Sequence, residues 1–146
     1  MSLAARFGFV AGFGPAAGAG EEILGLFRQP LEVLERLPDA SLRFVYLLHP
    51  DPWPKARHAK RRMVNHGPLD IIASKLEPGG EFRLGTDDPV YCRWSMMIMN
   101  QRRDFEWLAE RASDFLVRPG GWPETRYEAK ARRKGHEVWY FRYRRI

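Results

Sequence analysis

Asp51 is the residue whose neighbours best equip it for chemistry. It stands between Pro50 and Pro52, directly before Trp53, at the end of an apolar run from Ser41 to His49. Two prolines fix φ and remove backbone donors, so the carboxylate rides on a stiff support. Trp53 offers a flat face on which a nucleobase or adenine can stack. Lys55, Arg57, His58, Lys60, Arg61 and Arg62 follow, interrupted only by Ala56 and Ala59. Phosphate contacts need cations clustered at such short spacing. A charge run is more often a solvated helix face, but this one sits beside the acid, which favours RNA contact. Three further stretches carry weaker signals. Asp87 ends "EFRLGTD", where it either faces a ligand or belongs to the N-cap region of the next helix. Thr125, Arg126, Tyr127 and Glu128 precede a basic patch, and Glu128 on its own reads equally as a surface helix residue. Gly12-Phe13-Gly14 is a lone Gly-x-Gly, which lets backbone approach a ligand closely but also suits a flexible arm.

Elements able to position these groups can be read from periodicity and turn chemistry. "SLRFVYLLH" is apolar on both faces and rich in β formers, as a buried parallel strand should be. It delivers Asp51 to its carboxyl end, where open α/β sheets bind ligands. Pro30 suits the first turn of a helix reaching about Leu37. Leu69, Ile71, Ile72 and Leu76 mark a second helix, ended by Pro78-Gly79-Gly80. A short strand follows and hands Asp87 to the same edge. Asp88 is a possible cap, and Pro89 the first turn, of a third helix. "FEWLAERA" reads as a strand, "TRYEAKARRKG" as a basic helical patch, and "HEVWYFRYRR" as the closing strand. This alternation predicts an α/β fold with a mostly parallel sheet. Residues 1–20, rich in Gly and Ala, read as a flexible segment before one domain over 21–146.

Bulk properties narrow the class. The chain has 146 residues, enough for one domain with a real core. Its 24 basic against 18 acidic residues leave a charge of +6, which suits a polyanionic partner, nucleic acid before an anionic membrane. No apolar run approaches the roughly 20 residues that span a bilayer. Cys92 is a single cysteine without a partner, which suits a reducing cytoplasm. No Cys/His cluster has metal-ligand spacing.

"HPDPWPKARHAKRRMV", "KLEPGGEFRLGTD", "WPETRYEAKARRKGH" and "VWYF" together resemble the signature blocks of the tRNA (guanine-N7-)-methyltransferase family, in order and spacing, over roughly residues 30–146. The resemblance implies a Rossmann-like, S-adenosyl-L-methionine-dependent enzyme that methylates guanine 46 in the tRNA variable loop. It implies that Asp51 is the catalytic aspartate, lying also against the methyl donor, and that Lys55, Asp87 and Thr125 to Glu128 bind substrate. Arg57, His58, Ala59, Lys60, Arg61 and Arg62 match the stretch that touches RNA. The same resemblance exposes a mismatch. The family's donor-binding half, with its Glu-x-Gly-x-Gly turn, has only Gly12 and Gly14 as a faint counterpart, and Gln29 stands where an adenine-contacting Asp is expected. The chain therefore reads as N-terminally incomplete, with an open sheet edge that could self-associate. The alternative is a catalytically inactive remnant that binds tRNA only, through Lys55 to Arg62 and the C-terminal basic patch.

Overall fold

The computed structural model of the chain describes residues 8–13, 23–24 and 30–146. Six strands, β1 (Gly8–Phe13), β2 (Ile23–Leu24), β3 (Leu42–Leu48), β4 (Leu76–Thr86), β5 (Phe105–Trp107) and β6 (Trp139–Arg145), form one sheet. Their order is β2–β1–β3–β4–β6–β5. The helices are α1 (Pro30–Glu35), α2 (His66–Lys75), α3 (Pro89–Asn100), α4 (Ser113–Leu116) and α5 (Arg126–Arg133).

β3 is central because it can bury both faces. Val45 and Leu47 point into the larger core, among α1, α2 and α3 residues such as Leu34, Leu69, Ile72 and Tyr91. Phe44, Tyr46 and Leu48 alternate to the opposite side and meet Trp122, Ala131 of α5, and Tyr140. The result is a three-layer α/β arrangement, in which α5 is the helix of the second face among the described residues. β3 and β4 run parallel, Leu48 pairing with Gly85, so both strands finish at the same edge.

Only that pair is parallel among the described residues, which corrects the expectation of a mostly parallel sheet. A parallel pair needs a crossover, and α2 supplies one between β3 and β4. β6 instead enters beside the end of β4, Trp139 opposite Thr86, after a turn through Gly135 at φ 74°, and must run back antiparallel. β1 lies antiparallel along β3 from Gly8↔Leu48 to Phe13↔Leu42. The edge of β3, expected to be open, is thus paired. Within the Gly/Ala-rich segment expected to be flexible, Gly8–Phe13 is strand. The strand expected over "FEWLAERA" stops at Trp107, because Asp114 accepts from the backbone N–H of Glu110 (2.9 Å) and Arg111 (3.1 Å) and turns the chain into α4.

Candidate functional site

The ends of β3 and β4 generate the site. His49 leaves β3 by donating its N–H to the carbonyl of Gly85 (2.7 Å) and adopts φ 51°; Trp53, four residues on, has φ 42°. Left-handed backbone at two non-glycine residues costs on the order of 1–3 kcal/mol each and persists only where surroundings enforce it. Arg62 does much of the enforcing. Its Nε donates to the Pro52 carbonyl (3.0 Å) and its Nη2 to that of Trp53 (2.9 Å), while its guanidinium lies 4.7 Å from the Trp94 ring centre. The Asp51 carboxylate also accepts from the Trp53 N–H at 3.3 Å.

Asp87 leaves β4 one residue past Thr86 and is held by two imidazoles. His49 Nδ1 lies 3.3 Å from one carboxylate oxygen and His136 Nδ1 3.0 Å from the other. A carboxylate only accepts, so both rings carry their proton on Nδ1 here. The His49 bond, with help from His136, holds the Asp87 carboxyl down to about 2 against the cost of its partial burial. Asp88 then does what its position suggested, accepting from the Tyr91 N–H at 2.8 Å as the N-cap of α3.

Asp51, Asp87 and Asp88 line one side of a cavity of about 760 Å³. The other side is α5 and the turn after it, contributing Arg126, Tyr127, Lys130, Arg133, Lys134 and His136. An acidic wall thus faces a basic wall across a space of nucleotide size. Tyr127 carries the Arg126 guanidinium 5.2 Å above its ring. Among the described residues, no group of three metal-ligating side chains occurs.

Of the residues singled out in the sequence, Asp51, Asp87, Arg126 and Tyr127 meet in this cavity; Lys55, Thr125 and Glu128 are not on its walls. Thr125 is the N-cap of α5, its hydroxyl accepting from the Glu128 N–H (3.2 Å). Glu128 is only 2% exposed, turned behind the helix and bonded by Tyr140, Arg118 (3.1 Å) and Arg132 (3.4 Å). Burial, together with that carboxylate, pushes the Tyr140 hydroxyl up to about 12, so it stays a donor. Thr125 thus caps a helix and Glu128 sits in a buried ion cluster.

The basic block divides in a similar way. It forms a short 3₁₀ segment, Ala56–Arg61, on which Lys55, Arg57, Lys60 and Arg61 are exposed and His58 half-buried. Arg61 lies 5.0 Å over Trp53 and His58 packs against that ring edge-on, so the face expected to receive a base is partly covered. Ala59 gives its carbonyl to the Asn65 amide (2.9 Å). Arg62 is 4% exposed and directs donors to the Asp51 loop. His49, Lys130, Arg133, Lys134 and His136 were not singled out. A basic, helical reading of "EAKARRKG" gives the charge but not which residues face the cavity, and a single histidine after a glycine carries no signal.

Comparison with known proteins gives this geometry a family. Residues 22–141 match a family model described as "Putative methyltransferase". The chain is 74% identical over 116 residues to the tRNA (guanine-N(7)-)-methyltransferase of Sphingopyxis alaskensis, covering 79% of this chain and 49% of that protein. With the like-named protein of Zymomonas mobilis it shares 70% over 116 residues, covering 80% and 50%. With that of Rhizobium meliloti it shares 48% over 114 residues, covering 78% and 49%. The match over residues 22–141 makes this α/β sheet part of a methyltransferase-type domain. The chain belongs to this family of methyltransferases, and it spans about half the length of the curated relatives it matches.

The family and these relatives imply S-adenosyl-L-methionine as methyl donor. The described residues do not make the glycine turn such a donor needs. Gly12 is inside β1, paired on one side with Phe44 and on the other with Ile23, so it is ladder backbone rather than a ligand loop. Gly14 lies outside the described residues. Gly12 thus stands in the sheet ladder, and the acidic wall at Asp51 is suited to a ligand bearing positive charge.

Proposed function

We propose that this chain works in the N7-methylation of guanine 46 in the variable loop of tRNA, in the cytoplasm, and that its own share of the site is to hold the guanine nucleotide and the surrounding RNA. The observation that carries this reading is the meeting of Asp51 and Asp87, from neighbouring parallel strands, in one nucleotide-sized cavity. Guanine N7 already bears a lone pair, so no proton need be removed from it; orientation is the main requirement. Carboxylates can accept from guanine N1–H and N2–H₂, and they favour the positive charge that appears on the ring. The two histidine bonds keep Asp87 ionised and aimed. Exposed Lys55, Arg57, Lys60 and Arg61 supply phosphate contacts outside the cavity.

A second reading, tRNA binding without catalysis, is favoured by one specific observation: Gly12 is tied into the sheet ladder. A single experiment separates the two. The purified chain is incubated with S-adenosyl-L-methionine and tRNA transcripts carrying guanine or adenine at position 46, and 7-methylguanosine is read by mass spectrometry. Donor binding is followed in parallel by calorimetry. Product from the guanine transcript alone supports the enzyme reading. Tight tRNA binding with neither product nor donor binding rejects it in favour of the second.

A further inference from the structure

We infer that the cavity-facing side of α5, with Lys130, Arg133 and Lys134, is a phosphate rail that holds the backbone flanking the guanosine whose base lies on the acidic wall. The inference rests on the reading above and assigns residues it does not use. Arg126, Lys130 and Lys134 succeed each other at four-residue steps, so their stems are spaced about 6 Å apart along one helix face. All three, with Arg133, line the same cavity as Asp51 and Asp87.

The cations of α5 differ by face. Behind the helix, Arg132 is neutralised by Glu128 and linked to the Tyr140 hydroxyl. On the cavity side, Lys130, Arg133 and Lys134 form no ion pair with any described residue and are exposed. Cations in a last turn do complement the helix dipole, but that benefit does not depend on which face they occupy. Like charges gathered unpaired at a cavity mouth repel one another unless an anion bridges them. An anionic backbone whose base is drawn towards Asp51 and Asp87 supplies that bridge, and a bipolar cavity fits a nucleotide better than a free base. The turn at Gly135 then ties the rail to the acid wall directly, because His136 bonds Asp87 two residues after Lys134.

The test is a double-mutant cycle. A short oligouridylate with one central guanosine is made with native phosphates, and again with neutral methylphosphonates on both sides of the guanosine. Binding of each is measured by fluorescence anisotropy to the unaltered chain and to the Lys130→Ala/Arg133→Ala/Lys134→Ala variant, whose fold is checked by circular dichroism. These side chains are exposed, so melting should be unchanged. The unaltered chain should lose about tenfold or more in affinity on neutralisation, as charge-assisted hydrogen bonds are lost. The variant should bind the native strand as weakly as the neutral one. Equal fold-losses in both proteins, or no loss in the unaltered chain, would overturn the rail. Replacing guanosine by adenosine addresses the other reading alone. If the unaltered chain ignores that change while the cycle still couples, the base assignment fails and the rail stands.

Discussion

Replacing Arg62 by alanine should destabilise the fold while leaving the electrostatics of RNA binding almost untouched. Arg62 belongs to a basic run, but its guanidinium is buried, donates to the carbonyls of Pro52 and Trp53, and stacks on Trp94. Each charge-assisted bond to a buried carbonyl is worth roughly 1.5–3 kcal/mol, and removing the donor also leaves those carbonyls unpartnered. Two such bonds plus the stacking contact give a loss of ~3–5 kcal/mol. For a domain of this size that lowers Tm by roughly 10–15 °C. Arg62→Lys should recover little, because an ammonium cannot reproduce a planar fork that bridges two carbonyls. The assay pairs thermal melting with the slope of log affinity for tRNA against log salt concentration. At a temperature where both are folded, Arg62→Ala should keep the slope of the unaltered chain. Lys60→Ala, at an exposed position, should melt normally and flatten the slope by about one phosphate contact. The reasoning is refuted if Arg62→Ala melts like the unaltered chain and flattens the slope as Lys60→Ala does.

Other expectations follow from the same contacts. Asp87→Asn should cost ~1–2 kcal/mol near neutral pH, the shift from 3.8 to about 2 being discounted for a side chain 30% exposed. Since the folded protein lowers this carboxyl, its contribution is full above the ordinary value near 3.8 and fades as pH falls through about 2. The gap in denaturant stability between the two proteins should therefore close between pH 4 and pH 2. Glu128→Ala should destabilise by ~2–4 kcal/mol, because Arg118 and Tyr140 lose a buried partner, and chemical denaturation measures this. Gly80→Ala puts a methyl 2.9 Å from the carbonyls of Arg43 and Glu77, both backbone and unable to yield. It should cost roughly 1–3 kcal/mol and loosen the start of the β3–β4 pair, read as faster amide exchange at Leu42 and Phe44.

Much of this was legible in advance where local chemistry leaves few options. The apolar run Phe44–Leu48, closed by His49 and Pro50, reads as a buried strand delivering Asp51 to its end. Asp88-Pro89 could hardly avoid opening a helix, and it caps α3 as written. What the sequence withheld concerns the facing of charged side chains and the pairing of glycine-rich backbone. A run of cations on a 3₁₀ segment has no hydrophobic phase, so nothing marks Arg62 as inward and Lys60 as outward. Thr125 and Glu128 carry the spacing of a helix cap as well as that of a binding block, and nothing local marks that Arg118 and Tyr140 enclose Glu128. β1 has no side-chain alternation to announce a strand; its antiparallel register with β3 is a tertiary choice. The short β5 failed for a similar reason, since Asp114 captures two backbone N–H groups that a longer strand would have used.

Most directly at stake is the claim that the guanine of a tRNA enters the cavity between the Asp51–Asp87 wall and α5. A tRNA transcript carrying 6-thioguanosine at position 46 can be photo-crosslinked to the chain and the linked peptides sequenced. Crosslinks within Pro50–Trp53, Asp87–Pro89 or Arg126–His136 are the expected result. Crosslinks confined to the Trp107–Arg118 side of the domain would contradict it.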